Sequence, residues 1–460
     1  MKPLKNYLRK HLPHRAIIFS HKLRAMWAVV YYRFPARGML VIGVTGTKGK
    51  TTTSYFISSI LEEAGYTVGM ATTVNFKIGD KVWANEQNKT MLPVMKLQGL
   101  IRQMRDARCN ALVIEVTSHG IDQYRTLGIP FRYVGLTNVT HDHLDYHTNW
   151  EQYRDTKLRL FLGRAVKAAA VNSEDPSGPL FLEKTRAPRR WSYSTETDQP
   201  LEAATDHLYA QRVSTHAGGS SFTMKHEDES VKVQMQLPGR FNIENALCAA
   251  ALCRNLNLRL DTLAAGLANV KQVPGRLEKI ETKKGFTVMV DYAHTPDSLE
   301  KLYSTLRPDV RGRMIAILGS CGDRDKTKRP IMGALAARFC DYVFVTDEEP
   351  YTEDPLRIIE EVAKGVPRGR ALFHSTSHRP APAERPVFKR EVNETGEGQW
   401  WWKLPDRREA ISRAIDMCKL DDVILLTGMG AQTFKIVGEE QVPWSDRDVV
   451  EEVLKSKNLL

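Results

Sequence analysis

The stretch Met39-Leu-Val-Ile-Gly43-Val-Thr-Gly46-Thr-Lys-Gly49-Lys50-Thr51-Thr52 decides how this chain is read. Its first six residues are a short apolar run, the pattern of a strand buried on both faces. A Gly/Thr/Lys turn follows, and then Thr51 to Ala64 reads as a helix that Gly65 stops. Between a strand and a helix, consecutive backbone N–H groups and the helix N-terminus form a cradle for phosphate oxygens. Lys50 adds a point charge for β- and γ-phosphates, and the Thr51 hydroxyl can ligate Mg²⁺. The strict Walker spacing is not met, because its first Gly would fall at Val44. The flanking strand and helix still favour a phosphate cradle over an incidental Gly-rich turn.

Working outward, Pro93 to Ala107 reads as a helix with Val94, Leu97, Leu100, Ile101 and Met104 on one face. Ala111 to Ile114 reads as a second buried strand, ending at Glu115. Strands separated by helices predict a doubly wound parallel sheet, whose ligands lie beyond the carboxyl ends of the strands. Glu115 and the Gly46–Thr51 turn sit at two such ends, so Glu115 is a candidate Mg²⁺ ligand. His141, Asp142, His143, Asp145 and His147 cluster in the next loop. With no thiolate nearby, oxygen-rich Mg²⁺ coordination including one His fits them better than zinc.

From about Asn172 to Pro238 short alternating runs predict a β-rich excursion within the same domain, and helical periodicity returns at Asn242 to Leu256. After Pro274 a second α/β pattern begins, with strands at 288–290, 314–318, 342–345 and 423–426, each closing in a small or polar turn. The expected organisation is a basic amphipathic segment over 1–38, a P-loop-type central domain over 39–272 and a Rossmann-like C-terminal α/β domain over 273–460. A Pro-rich loop insertion is expected at about 377–405, with Trp400, Trp401 and Trp402 packed against the body.

The 460 residues carry a formal net charge of +12, which invites a nucleic-acid reading. Residues 1–61 hold 11 Lys/Arg and no Asp or Glu, whereas the rest of the chain carries 55 basic and 54 acidic side chains. The excess is therefore a basic head on a nearly neutral body. Stacking aromatics within it are sparse (Tyr7, Phe19, Trp27), which argues against a nucleic-acid groove. Basic residues interleaved with Leu8, Ile17, Ile18, Phe19, Leu23 and Trp27 allow peripheral contact with a membrane surface through residues 1–36. A helix packed on the body is the competing expectation. Six scattered Cys without a CxxC pair argue for a reducing cytoplasm, and no run approaches the roughly 18 apolar residues of a spanning helix.

Further motifs make the reading specific. Beside Gly46–Thr52 stand Glu115-Val-Thr-Ser-His-Gly-Ile-Asp-Gln-Tyr-Arg125, Thr137 to His147, Tyr153 to Phe161 and Gly239-Arg-Phe-Asn-Ile-Glu-Asn245. Val273-Pro-Gly-Arg276, Asp291-Tyr-Ala-His-Thr-Pro-Asp297, Gly322 to Pro330 and Ser445-Asp-Arg447 follow. In this order the set resembles the Mur ligase family, and most of all its MurE-type branch, the ATP-dependent ligases that add amino acids to a UDP-N-acetylmuramoyl peptide. The resemblance implies that Gly46, Thr47, Lys48, Gly49, Lys50, Thr51 and Thr52 bind ATP phosphates. Asn245, Arg276, Asp291 and His294 would surround adenine and ribose. Thr51, Glu115, His143 and a carbamate on Lys157 would hold two Mg²⁺. Thr90, Ser118, Gln123 and Arg125 would meet the acceptor; Arg324, Asp347, Glu348, Glu349, Tyr351, Gly428 and Gln432 would meet the amino acid. It implies a cytoplasmic monomer in peptidoglycan precursor synthesis. The acceptor carboxylate would attack the γ-phosphate, and the amine would attack the resulting acyl phosphate after the C-terminal domain closes.

Two departures matter. Where the family reads Asp-Asn-Pro-Arg for meso-diaminopimelate, this chain has Glu348-Glu349-Pro350-Tyr351, without the arginine that would clamp a distal carboxylate. The expected amino acid is therefore basic, such as L-lysine. Only some 38 residues precede the central domain, fewer than the family's uridine-binding domain needs, so the acceptor's carrier is expected to be held differently. Rival readings are a related ligase acting on a folate or cyanophycin acceptor, and a non-catalytic P-loop protein that binds nucleic acid.

Overall fold

The computed structural model describes residues 14–87, 89–140, 146–216, 218–367 and 400–460. The chain divides into two units, 1–273 and 274–460.

The first unit is built on an 11-stranded sheet. At its centre β1 (Leu40–Thr45) lies parallel between β5 (Ala111–Val116) and β6 (Tyr133–Leu136). Beyond β5 come β2 (Val68–Ala71), β3 (Asn75–Ile78) and β4 (Lys81–Ala84). Beyond β6 come β7 (Ala168–Asn172), β8 (Arg189–Ser194), β9 (Asp206–His216), β10 (Gly219–His226) and β11 (Glu229–Met235). The run from β2 to β9 is parallel, whereas β3, β4, β10 and β11 are added antiparallel. The parallel sheet expected from the strand–helix alternation is thus mixed at both margins, and the β-rich excursion extends it rather than forming a separate layer.

Period-two alternation explains why the central strands read as continuous apolar runs. Ile42, Val44, Ala111 and Val113 face one core, with α2 (Lys50–Glu63), α7 (Arg240–Arg254) and α8 (Leu260–Ala268). Val41, Leu112 and Ile114 face the other, with α3 (Val94–Asp106), α5 (Trp150–Phe161) and α6 (Gly178–Lys184). Helix α2 is buried over most of its circumference. A Cβ at Gly266 would fall 2.5 Å from Ile60 Cα, so α8 touches the α2 backbone where no side chain intervenes. Between α3 and α5 lies the single turn α4 (Ser118–Asp122), capped by the Thr117 side chain. Helix α1 (His14–Tyr31) packs outside α3 through Ala25, Ala28 and Val29. Tyr32, one residue beyond it, abuts Gly99.

In the second unit the parallel strands run β13 (Thr287–Asp291), β17 (Val423–Thr427), β14 (Met314–Leu318), β15 (Tyr342–Val345) and β16 (Trp401–Lys403). β12 (Glu278–Glu281) adds antiparallel to β13, and β18 (Phe434–Val437) pairs with β19 (Glu440–Pro443) in a hairpin. The helices are α9 (Pro296–Leu306), α10 (Lys328–Phe339), α11 (Pro355–Ala363), α12 (Arg407–Met417) and α13 (Asp446–Ser456). Residues 377–399 of the expected loop insertion lie outside the described residues. Its last part is not loop: Trp401–Lys403 pairs parallel with β15, Trp402 stacks on Phe344, and Trp400 is buried. No described helix is long and apolar enough to cross a membrane.

Candidate active site

The phosphate loop begins where β1 ends. Gly49 caps α2 with φ 82°, and a Cβ there would stand 2.2 Å from Asn245 Oδ1. At Gly46 a Cβ would meet the Thr137 hydroxyl at 1.9 Å. Both positions need glycine because neighbouring side chains close on the backbone. The turn is held open from behind: Thr47 N donates to the Asn138 carbonyl at 2.8 Å, and Lys48 N to Asn138 Oδ1 at 2.9 Å. Thr137 Oγ1 donates to the Lys48 carbonyl at 2.5 Å, and Thr47 Oγ1 lies 3.1 Å from the Tyr153 hydroxyl. Thr51 and Thr52 are buried in the first turn of α2.

Two ammonium groups converge on this loop. Lys50 Nζ donates to the carbonyls of Gly46 (3.0 Å) and Thr47 (2.8 Å). Lys157 Nζ, delivered by α5, donates to the same Gly46 oxygen at 2.9 Å and lies 4.4 Å from the Tyr153 ring centroid. Lys157 is almost wholly buried (1% exposed), unlike the solvated lysines usual on helices. Two cations on one carbonyl repel. Carboxylation of Lys157 would replace one cation with an anionic oxygen ligand, and the residues present therefore fit a carbamate.

Glu115 sits one strand over, paired with Val44 in the β1–β5 ladder, and is fully buried. Its carboxylate accepts from Thr73 N at 3.1 Å and from Thr73 Oγ1 at 2.9 Å, which leaves Thr73 Oγ1 to accept from the Thr90 hydroxyl at 2.9 Å. A carboxylate has about four acceptor sites, so these two bonds leave capacity for a hard cation. The donor set of Thr51, Glu115 and carboxylated Lys157 is all oxygen, which suits Mg²⁺. His143 lies in 141–145, outside the described residues.

On the same side, Ser118 is buried at the start of α4 and Arg125 donates to Gln123 Oε1 at 2.6 Å and to the Met91 carbonyl. Burial lowers the Arg125 pKa from its usual value. Gln123 and Arg125 line a cavity of ≈ 290 Å³ together with His21, Arg24 and Lys89. Asn245, on α7, accepts from Thr53 Oγ1 in the first turn of α2 at 3.4 Å.

The second unit gathers its polar residues at the carboxyl ends of its strands. Asp291 spends both oxygens on backbone amides, Leu277 N at 2.8 Å and Ala293 N at 2.7 Å. Arg276 lies over the Tyr292 ring at 4.6 Å, and His294 Nδ1 is 2.7 Å from the Tyr292 carbonyl. After β15, Glu348 and Glu349 are both buried. Cys321 Sγ lies 3.0 Å from Glu348 Oε1, and Gln432 Nε2 donates to Glu349 Oε2 at 3.2 Å. Burial raises both carboxyl pKa values above the ordinary 4.5. A Cβ at Gly428 would fall 2.1 Å from Glu348 Oε2. Arg324 faces the Tyr351 ring at 5.6 Å. The Asp347 carboxylate pairs with Lys435 at 2.8 Å, and wholly buried Arg407 pairs with Asp446 at 2.6 Å while donating to the Asp347 and Thr427 carbonyls.

Thr73, Cys321, Arg407 and Lys435 thus join these clusters without having been singled out in the sequence, whereas Tyr153 opens the recognised block Tyr153 to Phe161. Asp446 stood in a recognised block, Ser445-Asp-Arg447, and could have pointed to a buried cation partner.

With that geometry in view, comparison with known proteins is specific. Residues 44–253 match the Mur ligase middle domain, and residues 275–430 match the Mur ligase, glutamate ligase domain. A UDP-N-acetylmuramyl-tripeptide synthetase from Roseiflexus sp. (strain RS-1) is 36% identical over 433 residues, 91% of this chain and 79% of that protein. A UDP-N-acetylmuramoyl-L-alanyl-D-glutamate--2,6-diaminopimelate ligase from Clostridium botulinum (strain ATCC 19397 / Type A) is 34% identical over 439 residues, 95% of this chain and 82% of that protein. A solved structure of another ligase of that description superposes with a TM-score of 0.62 at 25% identity, covering 92% of this chain and 80% of that one. A Mycobacterium tuberculosis folylpolyglutamate synthase shares the fold, with a TM-score of 0.66 at 18% identity over 88% of this chain and 92% of its own. The chain belongs to the Mur ligase family of ATP-dependent amide ligases, and its similarity is to MurE-type members.

Proposed function

We propose that this ligase joins a basic amino acid, L-lysine, to the peptide carboxylate of a muramoyl-dipeptide-type acceptor in peptidoglycan precursor synthesis. The observation that carries the ligase site is the convergence of Lys50, Thr51 and Lys157 on one phosphate loop, with Glu115 on the adjacent strand. Lys50 leaves the Gly46 and Thr47 carbonyls to meet the β- and γ-phosphates. The acceptor carboxylate, steered by Gln123 and Arg125, attacks the γ-phosphorus; ADP leaves and an acyl phosphate forms. The amine then attacks the acyl carbon and phosphate departs. Thr51, Glu115, carboxylated Lys157 and His143 would hold Mg²⁺, which supplies positive charge opposite the transferring phosphoryl group.

The choice of lysine rests on the buried Glu348 and Glu349 and on Tyr351 standing where a carboxylate-clamping arginine would be needed. An ammonium seated between two desolvated carboxylates satisfies charges that burial otherwise disfavours. Arg324 is the partner for the α-carboxylate. The relatives named as diaminopimelate ligases make that amino acid the competing substrate. Phosphate release measured with single amino acids decides between them: turnover with lysine and not with meso-diaminopimelate is expected, and the reverse overturns the choice. The reading includes a cytoplasmic monomer with peripheral membrane contact through residues 1–36.

A further inference from the structure

Helix α1 has one finished face and one unfinished. Its inner face is seated on the body by Ala25, Ala28 and Val29, and a Cβ at Gly128 would strike Val29 at 2.5 Å. Its outer face presents Phe19, Leu23, Met26, Trp27, Val30 and Tyr31 to solvent, each 50–64% exposed. Every other described helix or strand exposes at most one large apolar side chain. At 3.6 residues per turn the six fall within an arc of about 140°. Lys22 and Arg24 stand at the two margins of that arc, and Trp27 stacks on Tyr31 at 5.0 Å. Aromatic rings with a wet edge, aliphatic side chains between them and cations at the rim are what the headgroup boundary of a bilayer accepts. Charge complementarity selects an anionic surface, since residues 1–38 carry nine cations and no carboxylate.

The edge between these two faces carries the link to chemistry. His21 and Arg24 line the ≈ 290 Å³ cavity already described together with Lys89 and Arg125, and no carboxylate stands in its lining among the described residues. Arg24 therefore borders both the apolar arc and the acceptor residues Gln123 and Arg125. A ligand matching this arrangement has an apolar tail at the bilayer, a strongly anionic group at the interface and a polar peptide beyond it.

We infer that α1 lies in an anionic bilayer surface and that the cationic cavity beneath it seats the diphosphate of a lipid-linked sugar-peptide acceptor. The inference rests on the ligase reading for where the acceptor peptide lies, and it adds the class of carrier.

The test uses the full chain, vesicles of phosphatidylglycerol or phosphatidylcholine, and one muramoyl dipeptide carried on either a polyprenyl diphosphate or UDP. The protein is expected to co-sediment with phosphatidylglycerol vesicles and not with phosphatidylcholine. Its kcat/KM for the lipid-linked acceptor is expected to exceed that for the UDP-linked one at least tenfold. Leu23→Glu with Trp27→Glu should abolish vesicle binding and the carrier preference while leaving ATP binding intact. Arg24→Glu with Lys89→Glu should raise KM for the lipid-linked acceptor and weaken inhibition by inorganic pyrophosphate. Preference for the UDP-linked acceptor without vesicle binding overturns the inference and leaves the ligase reading standing. So does a dimer in solution that the Leu23→Glu/Trp27→Glu variant dissolves while vesicles are ignored. Failure of both acceptors to release phosphate overturns the ligase reading as well.

Discussion

Lys157 Nζ donates to the Gly46 carbonyl at 2.9 Å, across 111 residues of chain and in the same oxygen's reach as Lys50. A free ammonium there competes with the lysine that must serve the phosphates, and a carbamate does not. Phosphate release is expected to fall in CO₂-depleted buffer and to recover with added bicarbonate. Lys157→Ala should lose about 100-fold, the scale of a removed metal-site group. Lys157→Arg should be equally impaired, because it keeps the cation and cannot form the carbamate. Steady-state assays across bicarbonate concentration check this.

Gly49 and Asn245 give a second test. Gly49→Ala adds a Cβ 2.2 Å from Asn245 Oδ1 at φ 82° and should destabilise the first unit by roughly 2–3 kcal/mol. Asn245→Ala on that background removes the clash but not the left-handed backbone. Recovery should therefore stop about 1 kcal/mol short of the parent. Denaturant unfolding of the four proteins in the cycle measures the coupling.

Strand-end chemistry was legible because buried parallel strands read as unbroken apolar runs and turn residues punctuate them. β1, α2, α3 and β5 fall within one or two residues of the stretches read from sequence. Thr73 escaped notice because it lies in the turn between β2 and β3, 42 residues from the Glu115 it binds, where no periodicity operates. β16 escaped because three residues are too few to show alternation and a Pro-rich stretch precedes them. The pairing at the two margins of the large sheet was not legible for a related reason: hairpin strands pair antiparallel, and nothing in their alternation says which sheet they extend.

Burial raises the Glu348 and Glu349 carboxyl pKa values, so the fold favours their protonated forms. The stability cost is absent below the ordinary 4.5 and grows as pH climbs through the raised values. Glu348→Gln should therefore gain melting temperature over the parent as pH rises from about 4.5. An ammonium ligand needs the charged forms, so KM for lysine should fall across the same climb. A melting-temperature difference that ignores pH would contradict this.

The wholly buried Arg407–Asp446 pair predicts an asymmetric mutational response. Asp446→Ala leaves a guanidinium without its counter-charge and should cost about 3–5 kcal/mol. That corresponds to a fall in melting temperature of roughly 10 °C for a unit of this size. Arg407→Met combined with Asp446→Leu should recover most of it in calorimetry.

The contact of Gly266 with the Ile60 backbone fixes how α2 can respond to a nucleotide. A helix pressed on nearly every side, and touched backbone to backbone by α8, has no room to slide or rotate. Adjustment to a phosphate is left to the Lys50 side chain and the few peptide units before it. The freedom surrendered on association is then that of a handful of torsions, so little binding energy is diverted into ordering the protein. Enlarging Gly266 should consequently weaken nucleotide affinity from a position that no nucleotide touches.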